Sequence, residues 1–392
     1  MHLATHLVGL LAVFSAAEAY KPVKPCPAPT KDTDRLAALA LDNLSRYQKS
    51  INPKGTCTVA KAARRKEWGS LSKAERKDYI RAVKCLMQKP SKYDPAAAPG
   101  AKTRYDDFVA VHINQTLSIH GTANFLSWHR WFVHTFEQAL RNECGYKGWQ
   151  PYWNWGRWAN DPLRSPIFDG SDTSMSGNGA YAAHNCTPAL PTGLNCIPPG
   201  SGGGCIFSGP FANMSVNLGP VAPTLQVAGT VPAPSLLAYN PRCVRRDITD
   251  WVSTRWTTEQ NTTDLIVQSG DIGAFQTTMQ GDFPRGFYGV HVGGHFTFAG
   301  DPGGDLFTSP GDPAFWLHHG QIDRVWWIWQ NLDPARRTHV IAGTLTVNNS
   351  PPSRNGTLDD IIDLEVNAAP LKIRDVVSTV GIGGGPQCYV YV

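Results

Sequence analysis

The sequence predicts a mainly α fold: a four-helix bundle with long irregular loops and a few short strands. Three observations predict it. Apolar residues recur at three- and four-residue spacing over several separate segments, the mark of helices with one buried face. Eight of the 12 histidines fall in two clusters on that helical ground. Thirty-seven glycines and 30 prolines among 392 residues require long irregular connections. A chain of this length with 42% hydrophobic residues can bury one large core or two moderate ones. Only 17% of residues are charged, which excludes a disordered polyelectrolyte or a long solvated helix. No stretch past the leader approaches the roughly eighteen unbroken apolar residues of a membrane span.

Residues 1–19 read as a signal peptide. Leu7 to Ala17 is an apolar run, and Ala17-Glu18-Ala19 is a small-x-small cleavage pattern that makes Tyr20 the mature N-terminus. The leader departs from the rule in having no Lys or Arg before that run. Residues 20–392 are then one secreted domain. A Pro-rich extended arm covers 20–35, and helical periodicity covers 33–50 and 60–88. In the second helical stretch Ser72 and Glu75 form a capping box. The basic run Lys61–Lys66 is followed by Glu67, Glu75 and Asp78 and has no interleaved aromatics, so it reads as a solvated face and not as a nucleic-acid site. Residues 103–143 give two helices with a short joint. Residues 156–245 form a loop-rich insertion, with four of the nine cysteines, tied down by disulfides. Residues 246–280, 284–296 and 312–331 are helical. Asp312 is the N-cap of the last of these and Pro313 its first residue. Its apolar face is Ile322, Val325, Trp326 and Trp329. Short strands and turns follow residue 340.

Nine cysteines without a CxxC pair fit an oxidising compartment and exclude zinc ribbons. The odd number leaves one free or paired between chains. The expected bridges are Cys26–Cys388, holding the Pro-rich arm, and Cys57–Cys85. Asn-x-Ser/Thr sequons start at Asn43, Asn114, Asn185, Asn213, Asn261, Asn348 and Asn355. Asn114 lies too close to the candidate site to carry a glycan. The sequence specifies no oligomeric state.

The histidine clusters carry the chemistry. His291 and His295, four residues apart, face one way on a helix. Gly293 and Gly294 lie between them and weaken it, so a bound metal or a close backbone approach must hold that turn. His318 and His319 start the last helical stretch, and only one of them can face the same pocket, because adjacent residues differ by about 100°. The first cluster is His112 on one helix, His120 in the loop after it, and His129 at the start of the next. His134, about 140° around from His129, reads as structural, as do the isolated His184 and His339. Imidazoles without Cys or carboxylate partners suit copper, zinc, iron or nickel. Two such sets on four facing helices make a two-metal site inside a bundle. The lack of a carboxylate disfavours iron and manganese pairs and leaves copper as the best choice.

The chain here resembles the tyrosinases and catechol oxidases, and among them the short fungal members. His120-Gly-Thr-Ala-Asn-Phe125-Leu126-Ser127-Trp128-His129-Arg130, with Val133 and Glu137, is similar to their first copper signature. Asp312-Pro313-x-Phe315-Trp316-x-x-His319-x-x-x-Asp323 is similar to the second. Pro151-Tyr152-Trp153-Asn154-Trp155 resembles their Pro-Tyr-Trp-Asp-Trp segment, and Tyr389-Val390-Tyr391 resembles the Tyr-x-Tyr that closes the catalytic domain. The resemblance spans about residues 30 to 392. It implies a type-3 dicopper site in the bundle, with one copper on His112, His120 and His129 and the other on His291, His295 and His319. His318 becomes a neighbour of the ligands. Arg130 and Asp323 are expected to pair across the bundle and fix the imidazoles.

The resemblance implies O2 and small phenols as substrates, with o-diphenols oxidised to o-quinones. Departures narrow this. Ser118 stands where many relatives have a cysteine cross-linked to a ligand histidine. Val292 follows His291, where strong monophenol hydroxylases often have Asn. The family's water-holding carboxylate has only Gln280 and Asp282 as candidates. Leu306 is expected over the second copper. The reading is therefore a catechol oxidase with weak or no monophenol hydroxylation; the enzyme alternatives are a full tyrosinase or an o-aminophenol oxidase. A hemocyanin-like oxygen carrier shares the copper site, but the C-terminal shielding domain of longer relatives is expected to be absent, which favours an enzyme. A zinc hydrolase needs only one of the two clusters.

Overall fold

A computed structural model describes residues 27–51, 56–187, 196–225, 227–282 and 286–392. The predicted signal peptide, Tyr20 and Cys26 lie outside them. The chain runs through α1 (Lys31–Ile51), β1 (Ala63–Arg65), α2 (Lys73–Leu86), α3 (Arg104–Ile119) and α4 (Phe125–Cys144). The insertion follows, with hairpin strands β2 (Gly179–Tyr181) and β3 (Gly203–Ile206), then β4 (Ser215–Val216) and β5 (Arg242–Cys243). Next come α5 (Asp250–Trp256), α6 (Glu259–Gln268), α7 (Ile272–Gln280), α8 (Gly289–Phe298), α9 (Ala314–Asn331) and α10 (Pro334–Arg337). The tail holds β6 (Ile361–Ile362), β7 (Leu371–Lys372) and β8 (Tyr389–Tyr391).

The four-helix bundle is α3, α4, α8 and α9. Every residue of α9 is buried, as expected for a helix walled on all sides; α1, α4, α6 and α8 pack around it. Its start is set by Asp312, whose Oδ1 accepts from the Ala314 N–H at 2.8 Å. The same carboxylate makes a bidentate, fully buried pair with Arg246 at 2.6 and 2.8 Å. A second bidentate pair, Arg242–Asp301 at 2.6 Å for both bonds, fastens the insertion to the loop after α8. The insertion is also closed by Cys186–Cys196 and Cys205–Cys243. The Ser72–Glu75 capping box forms at the start of α2.

Two expectations fail here. The helix predicted over 60–88 exists only from Lys73 to Leu86. Ala63–Arg65 instead pairs in parallel with Tyr389–Tyr391, a long-range pairing that local periodicity cannot signal. The expected bridges are also wrong. Cys57 joins Cys388, and Cys85 joins Cys144. The β1–β8 pairing explains the first, because it brings Ala63 N–H to Cys388 O at 3.0 Å and so carries the Cys57 turn to the chain end. In the second, the last turn of α2 meets the last residue of α4.

β8 is held by a buried charge network. Asp323 on α9 accepts from Arg130 Nε at 2.6 Å, from Arg65 Nη1 at 3.3 Å, and from the Tyr389 and Tyr391 hydroxyls at 2.6 and 2.5 Å. Arg65 Nε also donates to Glu137 at 3.0 Å. Two guanidiniums thus balance two carboxylates out of contact with water, with Arg65 lying 3.5 Å over the Tyr389 ring and Arg130 3.6 Å over Trp326. The Arg130–Asp323 pair expected from the sequence is present and buried. The basic run is not wholly a solvated face, because Arg65 is fully enclosed.

Peptide mapping without reduction should recover Cys57–Cys388 and Cys85–Cys144 as linked peptides; a Cys57–Cys85 peptide would contradict the β1–β8 pairing. Arg130→Met strands one end of Asp323 in the core. It should cost about 3–5 kcal/mol in urea unfolding, as breaking a buried pair does; a loss within the scatter of surface mutants would show that the network is not stabilising.

Candidate metal centre

α3 and α4 each contribute one imidazole of the first group, and the turn between them the third. His112 sits on α3, His120 at its extended C-cap, and His129 on the first turns of α4. Ring centroids lie 5.2, 5.7 and 5.1 Å apart, a nearly equilateral triangle. In each ring Nδ1 meets a backbone carbonyl: Phe307 at 2.8 Å, Thr116 at 2.9 Å and Phe125 at 2.7 Å respectively. A carbonyl only accepts, so Nδ1 carries the proton and the lone pair is left on Nε2. Nε2 of His112 and His129 is buried with no partner among the described residues.

The second group repeats the triangle. His291 and His295 on α8 and His319 on α9 have centroids 4.9, 5.2 and 5.2 Å apart. His295 Nδ1 faces Gly303 O at 3.3 Å, and the Nε2 atoms of His295 and His319 converge at 3.1 Å. The two groups face each other, with the His129 and His319 rings stacked at 4.7 Å and His120 and His291 at 6.0 Å. His318 lies within reach of the second group, but its Nε2 donates to His291 O at 2.9 Å and its ring packs among Trp153, Trp155 and Phe298.

The glycines of α8 now have a reason. A Cβ on Gly294 would come 2.1 Å from the His318 ring, and one on Gly293 would come 2.8 Å from Trp256 Cβ. Close approach of α9 and α5 requires both glycines.

Burial sets the protonation state. It pulls His120 down to about 4 and His295 to about 3, and lowers His112, His129, His291 and His319 well below the ordinary imidazole value. All six are neutral near pH 7, as metal ligation requires. Asp323 is opposite in sign: burial alone would raise it, but Arg130, Arg65 and the two tyrosine hydroxyls hold it below the usual carboxylate range. Buried, inward-facing, unpartnered imidazole nitrogens without a carboxylate in either group fit a borderline-soft cation such as copper.

The other sequence-selected residues fall around this centre. His134 lies outside both groups, 3.7 Å from Glu137 and stacked on Trp131. His184 is held by Asp247 at 3.0 Å. Val292 is half-buried and packs against the small apolar cluster of Ile197, Val252, Tyr288 and Phe296. Gln280 Oε1 accepts from the Gly121 N–H at 2.8 Å, one residue past His120. Asp282 bridges to Phe287 through backbone hydrogen bonds of 2.7 and 3.1 Å. Leu306 is 36% exposed, in a loop whose carbonyls at Gly303 and Phe307 touch His295 and His112. That loop therefore spans both groups and does not belong to the second alone. Sequence reasoning missed Arg65, Arg242 and Arg246. Each is an ordinary cation in the sequence, and only its distant partner marks it.

A family model described as the common central domain of tyrosinase matches residues 102–332. A tyrosinase-like protein of Emericella nidulans is 40% identical over 359 residues, covering 88% of this chain and 92% of that protein. An N-acetyl-6-hydroxytryptophan oxidase of the same organism is 38% identical over 349 residues, covering 86% and 93%. The solved structure of a mutant polyphenol oxidase from Thermothelomyces thermophila matches with a TM-score of 0.86 and 45% identity, covering 92% of this chain and 98% of that one. Together with the facing imidazole groups, these matches show that the chain belongs to the tyrosinase family of type-3 dicopper oxidases.

Proposed function

We propose that the protein is a secreted oxidase that converts o-diphenols to o-quinones with O2 as acceptor, and hydroxylates monophenols only weakly. In this reading residues 1–19 are the leader and 20–392 the catalytic domain. His112, His120 and His129 hold one copper, and His291, His295 and His319 hold the other. Copper held there would supply the redox couple through which two electrons from each diphenol pass to O2. The protein's part is to hold six neutral imidazoles in register, to keep bulk water away with Phe125, Trp128 and Phe315, and to admit the phenol.

The single observation that carries the diphenol preference is the setting of Gln280 and Val292. A monophenol must lose its proton before it is hydroxylated, and that needs a placed base or a held water. The Gln280 carbonyl is committed to the Gly121 N–H. Val292, beside His291, has no polar atom with which to hold a water. Secretion is supported by the four disulfides among the described residues. His319, and not His318, is assigned as ligand because its ring stacks on His129 of the opposite group.

Metal analysis tests the ligand assignment. His319→Ala should lose one copper and all oxidase activity, whereas His318→Ala should keep two coppers with reduced activity; the reverse pattern would sink the assignment. Steady-state rates on tyramine and dopamine test the preference. The native protein should oxidise dopamine much faster than it hydroxylates tyramine, and Val292→Asn should raise the tyramine share. Equal native rates would overturn the diphenol reading, and an unchanged ratio in the variant would remove the role given to Val292.

A further inference from the structure

We propose that the segment 343–357 carries N-linked glycans at Asn348 and Asn355, and that they screen the rim of the imidazole site. This rests on the secreted reading above. Seven sequons are present, and the structure separates them. Asn43 Nδ2 donates to Leu332 O at 3.1 Å, at the end of α9. Asn114 Nδ2 donates to both oxygens of Glu365, at 3.1 and 3.3 Å. Asn261 Oδ1 accepts from Thr258 N and Oγ1, at 3.1 and 2.6 Å, as the partner of Thr258 in the capping box that starts α6. A glycan on any of these three side chains would compete with a native contact. Asn348 and Asn355 are exposed, as are Ser350 and Thr357 of their sequons; Asn348 Oδ1 lies against Gly121, without a side-chain hydrogen bond to the described residues. Asn185 and Asn213 are also exposed, on the insertion. What sets Asn348 and Asn355 apart is the element that carries them.

That element is seated on the His120 turn. Asn348 N–H donates to Gly121 O at 3.3 Å, and Ala123 N–H donates to Thr344 O at 2.9 Å. Gly356 N–H donates to Gly343 O at 3.0 Å, which closes the segment on itself. Asn348 and Asn349 sit at φ 51° and 57°, the left-handed conformation that Asn tolerates better than most side chains. Gly121 directly follows His120, which is 7% exposed, and the facing His295 is 9% exposed, more than the other ligands. The most exposed ligand of the first group is therefore the one whose turn this segment borders. A glycan is bulky and hydrophilic, so two of them there would hinder phenols carried on a polymer while small phenols still diffuse in.

The test uses the full chain secreted from a fungal host. N-glycans are released enzymatically in 18O-labelled water, so each occupied Asn is read as labelled Asp by mass spectrometry. Label is expected at Asn348 and Asn355 and absent from Asn43, Asn114 and Asn261. A protein that begins at Tyr20 yet is unlabelled at Asn348 and Asn355 would overturn the proposal alone. A protein that retains Met1 and shows no label at any sequon would overturn the secreted reading with it. The double variant Asn348→Gln/Asn355→Gln should oxidise a dextran-linked catechol severalfold faster while its rate on 4-tert-butylcatechol is unchanged. Equal effects on both substrates would overturn the screening role.

Discussion

The architecture depends on burying six imidazole lone pairs that point at one another. A buried polar atom without a partner costs free energy, and this bundle gathers several such atoms in one place. The protein offsets part of that cost on the other side of the rings. Four of the six Nδ1 atoms face a backbone carbonyl, two of them four residues back in the same chain segment: Thr116 for His120 and Phe125 for His129. The remaining carbonyls come from the loop between α8 and α9. Its length and course are thus tied to both groups at once, and the insertion that braces it through Arg242–Asp301 becomes part of the support for the centre.

The second constraint is that α9 is buried on every side and still carries charge. Asp323 lies one turn past His319, so whatever fixes Asp323 fixes the helix that presents the ligand. Its partners come from β1, α4 and β8, which are remote in sequence. With two guanidiniums and two carboxylates the network is neutral, and aromatic faces and tyrosine hydroxyls complete it. Such a network restricts the fold, because any charge left in the core without its partner is costly. The end of the chain must return to β1 for Tyr389 and Tyr391 to reach Asp323, and the Cys57–Cys388 bridge then falls beside that pairing.

What could be read from the sequence follows from how local each signal is. The histidine spacings, the helical periods of α3, α4 and α9, and the Ser72 cap are written within a few residues, and the structure bears them out. The α1 helix, at Lys31–Ile51, also falls where periodicity placed it. The β1 strand was hidden because three residues of a basic run carry no β signal of their own. The disulfides were misjudged for the same reason: their connectivity follows from β1–β8 and from the meeting of α2 with α4, both tertiary facts. Gly293 and Gly294 show a partial success. Their presence in a helix signals a bound metal or a close backbone approach; the structure shows that the His318 ring and Trp256 come close enough to require both glycines.

The same burial bears on the chemistry the centre can support. Holding the imidazoles neutral requires a dry, apolar surround, here Phe125, Trp128, Phe132 and Phe315. A dry surround disfavours any nearby carboxylate unless cations and hydroxyls hold it, as they do for Asp323. Asp323 is fully committed to that task. Two polar side chains of α7 reach the His120 turn, and both bond its backbone: Gln280 accepts from the Gly121 N–H and Gln276 donates to Thr122 O, each at 2.8 Å. Ligand geometry and proton removal therefore draw on the same few polar groups, and in this chain those groups serve geometry. An oxidase that only withdraws electrons from a diphenol loses little by that allocation. In the diphenol reading proposed above, the aliphatic side chain of Val292, next to His291 in the chain, matches that allocation, because it offers no polar atom for removing a monophenol's proton.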